Sequence, residues 1–191
     1  MKNRIAIFAT GSGSNAQALI EYFQKNESAS VELILSNKSD SFALQRAQKM
    51  GVNGVFFNNQ TFKTGEEIID VLSKHDINWV LLAGFLLKIP LSIVRSYKGK
   101  IINIHPSLLP KFGGKGMYGE HVHQAVIDSG ERESGISIHH VSEEYDEGNI
   151  IFQARCQVLK EDTAKDLAKK IQVLEHQNYP IVIEKLIKND I

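Results

Sequence analysis

Short apolar runs alternate with stretches of helical periodicity along the first half of the chain. The runs are almost free of charged residues, as parallel strands buried on both faces require. They span residues 4–9, 31–37, 55–57 and 78–83. Between them, apolar side chains recur at helical spacing, for example at Ala16, Leu19 and Phe23, which indicates helices that bury one face. This alternation predicts an α/β fold with a mostly parallel, doubly wound sheet and helices on both of its faces.

The second half of the chain has a different pattern. Residues 135–141 and 149–158 are two runs rich in β-forming residues, and the polar segment 142–148 joins them. Two such runs separated by a short loop predict a C-terminal antiparallel hairpin at the far side of the sheet. A long amphipathic segment follows, so the chain is expected to end in a helix.

Polar residues, glycine and proline mark the expected ends of the helices. Residues 64–67 have capping-box spacing, and Gly51 lies where a C-terminal cap belongs. Asp162 or Thr163 is expected to cap the last helix. Pro180 is expected to break or restart that helix, because proline lacks the N–H of a helical hydrogen bond.

A further strand, at residues 100–105, carries two polar side chains in an otherwise apolar run. Asn103 and His105 share one face because side chains alternate with period two, and Pro106 ends the strand directly after them. An amide can stabilise an oxyanion, and an imidazole moves protons near neutral pH. The alternative is a polar pair that only holds the following loop. The carboxyl edge of a parallel sheet favours the catalytic interpretation.

A glycine-rich turn, residues 10–15, lies between the first strand and the first helix. Its backbone N–H groups can converge on a phosphate at the helix N-terminus. The alternative is a tight connection with Ser14 as a helix cap. Gly11, Gly13 and Ala16 also fit a loose dinucleotide fingerprint, but the second strand ends in Ser36-Asn-Lys38 rather than in a ribose-binding acid. A single phosphate group is therefore the expected ligand.

Composition restricts the class of protein and its partners. The chain has 191 residues, enough for one domain, and its 22 basic and 22 acidic residues cancel, so neither nucleic acid nor a membrane surface is an expected partner. A single cysteine, Cys156, suits a reducing compartment, and we expect no signal peptide and no membrane span. We predict a cytoplasmic protein that acts on small molecules.

Several histidines in the second half raise the question of a metal site. His121 and His123 would point about 200 degrees apart on a helix, and the chain has no His-Glu-x-x-His motif. We therefore expect no metal, although a metal-dependent hydrolase that uses these residues and His139 stays an alternative. Asp146, in the tight segment Tyr-Asp-Glu-Gly, is either an ordinary turn residue or a carboxylate that orients an imidazole.

Four motifs, at residues 13–15, 82–85, 103–110 and 145–148, together resemble the phosphoribosylglycinamide formyltransferase family of purine biosynthesis. The resemblance runs over nearly the whole chain. It implies one Rossmann-like formyltransferase domain over residues 1–191, with a phosphate-binding half of about residues 1–100 and a catalytic and folate half of about residues 101–191. It also implies transfer of a formyl group from the co-substrate 10-formyltetrahydrofolate to the amine of glycinamide ribonucleotide, by a monomer or homodimer.

The same resemblance implies roles for particular residues. The positions that match the catalytic trio of the family are Asn103, His105 and Asp146. The positions that match its ribonucleotide-binding residues are Gly13, Ser14, Asn15 and Glu175. The positions that match its folate-binding residues are Leu86, Leu87, Lys88 and Ile89, together with Asn103.

Other functions stay open at this point. Formyltetrahydrofolate deformylase and methionyl-tRNA formyltransferase share the Asn-x-His-Pro core, but the former generally adds an N-terminal domain and the latter a C-terminal domain and a basic surface. A nucleotide-binding module without catalysis would keep the glycine-rich turn but would not need Asn103, His105 and Asp146 together.

Overall fold

The computed structural model describes residues 2–191 as seven strands and seven helices. The strands are β1 (Asn3–Phe8), β2 (Ala29–Ser36), β3 (Asn53–Phe56), β4 (Trp79–Leu82), β5 (Ile101–His105), β6 (Glu133–His140) and β7 (Ile150–Gln157). The helices are α1 (Ser14–Asn26), α2 (Phe42–Lys49), α3 (Asn59–Phe62), α4 (Glu66–Lys74), α5 (Leu91–Ser96), α6 (Glu120–Asp128) and α7 (Ala164–Lys188). Among these described residues, no helix is both long and apolar enough to cross a membrane.

One sheet contains all seven strands, in the order β3-β2-β1-β4-β5-β6-β7. Strands β1 to β5 are mutually parallel. The pairs β5·β6 and β6·β7 are antiparallel. The predicted α/β fold, with a mostly parallel sheet and a C-terminal antiparallel hairpin, is confirmed.

The apolar strands separate two cores because their side chains alternate between the faces of the sheet. In β1, Ile5 and Ile7 belong to a cluster formed with α1, α2, α6 and α7. Ala6 and Phe8 belong to a second cluster, formed with α3, α4 and α5. Helices therefore cover both faces, as the continuous apolar runs predict.

The order of the strands creates a crevice at one edge of the sheet. Strand β1 lies between β2 and β4, so the connections that leave β1 and β4 run to opposite faces of the sheet. The carboxyl ends of strands at such a reversal form the usual ligand site of open α/β sheets.

The predicted capping box at residues 64–67 is wrong. Helix α4 begins at Glu66, and its N-cap is Gly65, at a φ of 78°, with no side-chain cap among residues 2–191. The Thr64 hydroxyl donates instead to the carbonyl of Thr61, at 3.4 Å. A β-carbon on Gly65 would come within 2.3 Å of Ser92 Oγ, so α5 packs too closely for a residue with a side chain at this position.

The predicted break at Pro180 is also wrong, because α7 continues through it to Lys188. Pro180 and its neighbour Tyr179 are both buried, and Ile183 one turn later is in the core. Packing of this face against the sheet outweighs the one hydrogen bond that proline removes. The start of α7 agrees with the prediction, because Thr163 forms a complete capping box with Asp166.

Candidate active site

A cleft of about 790 Å³ opens at the carboxyl ends of β1, β4 and β5. Its walls are the turn after β1, the loop after β4, the glycine-rich segment 114–119 and one side of α7. The predicted site residues that line it are Gly13, Ser14, Asn15, Leu86, Asn103, His105, Asp146 and Glu175. Residues from distant parts of the sequence thus meet at the crevice expected from the strand order.

Asn103 is held by a histidine of the neighbouring antiparallel strand. The two residues are paired in the register of β5 and β6, and Asn103 Nδ2 lies 3.1 Å from His139 Nε2. His139 Nδ1 lies 2.9 Å from the carbonyl oxygen of His140, which can only accept, so Nδ1 carries the proton. Unprotonated Nε2 therefore accepts one N–H of the Asn103 amide, and the second N–H is left for a ligand.

Burial favours the neutral form of His139. Its side chain is 2% exposed, and this burial lowers its pKa, although its hydrogen bond to the carbonyl of His140 and the charge of Asp146 act in the opposite direction. A neutral imidazole is the form that can accept from Asn103. Sequence reasoning did not give His139 this role, because the sequence shows neither the strand register nor which of the two adjacent histidines lies beside Asn103.

His105 and Asp146 face each other across the floor of the cleft. His105 Nδ1 lies 3.6 Å from Asp146 Oδ2, and the His105 side chain is 5% exposed. On the other side of the ring, Nε2 lies 2.8 Å from the carbonyl oxygen of Phe112 and must donate to it. The Nδ1 atom is therefore the one that can exchange a proton beside the carboxylate.

Asp146 is fixed by the backbone around it. It has a φ of 55°, and its Oδ2 accepts the N–H of Gly114 at 2.8 Å. Its Oδ1 lies 3.6 Å from His139 Nε2. The Asp146 carboxylate thus lies between the imidazole of His105 and that of His139.

The glycine-rich turn presents unpaired donors to the opposite end of the cleft. Gly13, at a φ of 70°, is the N-cap of α1, so the alternative with Ser14 as the cap is not what the structure shows. Within residues 2–191 the backbone N–H groups of Ser12, Gly13, Ser14 and Asn15 have no hydrogen-bond partner. A helix N-terminus with free N–H groups attracts an anion.

Asn15 links this turn to the final helix. Its Nδ2 donates to Glu175 Oε2 at 2.8 Å, and its Oδ1 is buried without a partner in the part of the chain that the structure describes. Burial raises the pKa of the Glu175 carboxyl, while the hydrogen bond from Asn15 lowers it. A buried, incompletely satisfied amide and carboxyl pair is suited to a ligand that carries hydroxyl groups.

Four of the five predicted folate residues lie in the segment between β4 and α5, and they have different surroundings. Leu86, 42% exposed, lines the cleft. Leu87 packs against the second core cluster, and Ile89 is buried in it. Lys88 lies at the surface, where its Nζ is 3.3 Å from Glu144 Oε2 and 5.4 Å from the centre of the Tyr145 ring.

Sequence reasoning also missed residues of the lining that carry polar groups. His123, 7% exposed, lies in the wall, and burial lowers its pKa. Lys169 and Gln172 face the cleft from α7, and Gln172 Nε2 donates to Ser14 Oγ at 3.2 Å. The signal that could have found Gln172 is its spacing of three residues from Glu175, which places both on one helix face.

No group of three or more histidine, cysteine, aspartate or glutamate side chains within residues 2–191 is arranged to hold a metal ion.

Comparison with known proteins identifies the family. The model of the formyl transferase family matches residues 3–183. Phosphoribosylglycinamide formyltransferase of Escherichia coli is 35% identical over 184 residues, which cover 94% of this chain and 84% of the relative. The chloroplastic phosphoribosylglycinamide formyltransferase of Arabidopsis thaliana is 39% identical over 95% of this chain. This chain spans 64% of the length of that relative, which is less than two thirds.

Solved structures give the same result. The crystal structure of phosphoribosylglycinamide formyltransferase from Anaplasma phagocytophilum superposes with a TM-score of 0.91 at 35% identity, and the match covers 99% of this chain and 88% of that one. The resemblance read from the four sequence motifs is therefore confirmed. The chain belongs to the formyl transferase family.

Proposed function

We propose that this chain transfers the formyl group of 10-formyltetrahydrofolate to the amine of glycinamide ribonucleotide, a step of purine biosynthesis. One observation carries the proposal: the side chains of Asn103, His105 and Asp146 line the same cleft as the anion-attracting turn at Gly13. The relatives with which the chain shares its family are named for this activity.

The amine of the ribonucleotide is already a nucleophile, so formyl transfer needs no enzyme-bound intermediate. Attack on the formyl carbon turns its carbonyl oxygen into an oxyanion, which needs a hydrogen-bond donor. The Asn103 N–H that His139 leaves free is the proposed donor. Once His105 has taken up the proton of the attacking nitrogen, the imidazolium adds positive charge at the same place.

Protons must move as the formyl group moves. The attacking nitrogen loses a proton, and the folate nitrogen that leaves gains one. His105 Nδ1 is the proposed relay atom, because its other nitrogen is engaged by the carbonyl of Phe112. Asp146, 3.6 Å away, would stabilise the imidazolium that forms, directly or through an intervening water.

The ribonucleotide is proposed to lie along the opposite side of the cleft. Its phosphate would accept the N–H groups of Ser12 to Asn15, with Lys169 supplying positive charge from α7. Its ribose hydroxyls would bind the Asn15 and Glu175 pair. The distance between the two ends of the cleft would then set which amine reaches the formyl carbon.

The folate co-substrate is proposed to enter beside Leu86, which is exposed at the cleft. Leu87 and Ile89 would anchor the loop after β4 in the core. Lys88 would hold the same loop against Glu144 and Tyr145. We also propose that the protein acts in the cytoplasm, with which its single cysteine is compatible. The proposed assembly is a monomer or a homodimer.

The test follows folate product formation from 10-formyltetrahydrofolate after dialysis against a chelator, with and without glycinamide ribonucleotide. We expect release that requires the ribonucleotide, with mass spectrometry detecting the formyl group on it. Release without the ribonucleotide would indicate a deformylase instead. No release under either condition would refute the transferase and favour a nucleotide-binding module, and loss of activity on chelation would favour a metal-dependent hydrolase.

A further inference from the structure

The glycine-rich turn rests on helix α2, which contacts two of its carbonyl groups. The Ala43 N–H donates to the carbonyl oxygen of Gly11 at 3.3 Å, and Arg46 Nε donates to the carbonyl oxygen of Ser12 at 2.8 Å. The contact is close, because a β-carbon on Gly13 would lie 2.6 Å from Ala43 Cα. Two successive carbonyls of the turn are thus held on the side of α2.

Holding a carbonyl also fixes the direction of the N–H in the same peptide unit. In a trans peptide the two groups point in opposite directions. The carbonyl of Gly11 shares its unit with the N–H of Ser12, and the carbonyl of Ser12 shares its unit with the N–H of Gly13. With both carbonyls directed at α2, both N–H groups are directed away from it, and Ser12 and Gly13 line the cleft.

The guanidinium of Arg46 is itself held in place. Its Nη1 donates to Gln17 Oε1, and Gln17 Nε2 donates in turn to Glu21 Oε1 at 2.7 Å. The backbone N–H of Gln17 donates to the carbonyl oxygen of Gly13 at 2.9 Å. Arg46 is therefore fixed between α2 and the first turn of α1, and it lies outside the residues that line the cleft.

We propose that Arg46 is a positioning residue for the anion-binding turn. It directs the N–H groups of Ser12 and Gly13 into the cleft by holding the carbonyl of Ser12, without contact with the ligand. The inference rests on the proposed function, in which this turn binds the phosphate of the ribonucleotide. Because a guanidinium donates from a fixed plane, it sets the orientation of the peptide as well as supplying a hydrogen bond.

The experiment compares Arg46→Ala with wild type in steady-state kinetics. We expect the KM for glycinamide ribonucleotide to rise roughly tenfold, as loss of one charge-assisted hydrogen bond does. We expect kcat and the KM for the folate to stay within twofold, because Arg46 lies outside the residues that line the cleft. Thermal unfolding checks that each variant is folded.

Two further variants distinguish positioning from simple charge. Lys49→Ala removes one positive charge from the same helix at an exposed site, and it should leave the KM for the ribonucleotide unchanged. Gln17→Leu keeps the charge of Arg46 but removes the acceptor that orients it, and it should raise that KM about threefold. Gln17→Leu also keeps the question testable if Arg46→Ala does not fold.

Salt gives an independent readout. A hydrogen bond to a carbonyl is little screened, so the KM ratio of Arg46→Ala to wild type should persist at about 0.5 M salt, whereas a long-range attraction between Arg46 and the phosphate would fade. A ratio that collapses with salt, an equal effect of Lys49→Ala, or an unchanged KM in Arg46→Ala would each overturn the inference. If the wild type itself shows no ribonucleotide-dependent release, the proposed function fails first, so the two failures are distinguishable.

Discussion

Replacement of Asn103 by alanine tests the proposed chemistry most directly. The amide has two N–H groups, and one of them is engaged by His139 at 3.1 Å, so a single donor remains for the oxyanion. Loss of one such donor typically lowers kcat by about 10²- to 10³-fold, or roughly 3–4 kcal/mol in the barrier. We therefore expect Asn103→Ala to lower kcat at least about a hundredfold.

The same change should also lower stability by a predictable amount. His139 is 2% exposed, and without Asn103 its Nε2 would be a buried acceptor with no partner. Such an atom costs about 1–3 kcal/mol in the free energy of unfolding. Urea unfolding would measure this loss separately from the kinetic one.

The assay measures kcat and the KM for glycinamide ribonucleotide by folate product formation. The KM should change less than threefold, because the ribonucleotide contacts are proposed at the other end of the cleft. Asn53→Ala, at an exposed position of strand β3, is a matched control that should behave as wild type. His139→Leu keeps the amide but removes its acceptor, and it should lower kcat less than Asn103→Ala. Near-normal turnover in a folded Asn103→Ala variant would refute the oxyanion role.

Three further predictions concern stability, measured by urea unfolding. Tyr179→Phe should cost about 1–2 kcal/mol, because the fully buried hydroxyl contacts one carbonyl oxygen of β4 at 3.1 Å and one of β5 at 3.0 Å. Gly135→Ala should cost roughly 2–3 kcal/mol, because its β-carbon would lie 1.9 Å from the carbonyl oxygen of Ala154. Gly11→Ala is the control, because a β-carbon there would lie in open space and should change the free energy of unfolding by less than about 0.5 kcal/mol. Equal losses of stability in the two variants would contradict this prediction. Burial lowers the pKa of His139 from 6.5, so below pH 6.5 the unfolded chain binds a proton at this residue that the folded chain does not. The free energy of unfolding should therefore fall on acidification by up to about 1.4 kcal/mol per pH unit until the lowered pKa is reached. His139→Leu should remove this contribution to the pH dependence of stability.

The sequence predicted the elements whose signal is local. The apolar runs of β1 and β4 and the helical spacing of α1 need only the residues within each segment, and all three were found. The turn at Gly13 and the polar pair of Asn103 and His105 were each predicted at the end of a strand, and they lie in one cleft because the loops that follow parallel strands meet at one edge of a sheet.

What the sequence could not give depends on contacts between distant segments. The alignment of His139 with Asn103 follows from the register of β5 and β6. A slip of one residue would turn His139 to the opposite face of the sheet. Continuation of α7 through Pro180 depends on burial against the sheet. The different surroundings of Leu86 and Ile89 reflect the path of an irregular loop, for which no periodicity exists.

The hydrogen bond between Asn15 and Glu175 joins residues 160 positions apart. A ligand that binds this pair would act as a reversible crosslink between the first helix and the last, closing nearly the entire chain into one loop. Its binding energy would therefore oppose detachment of α7, and proteolysis or amide hydrogen exchange near the C-terminus would slow when the cleft is filled. Occupancy of the cleft could thus be monitored at α7, without observing any chemistry.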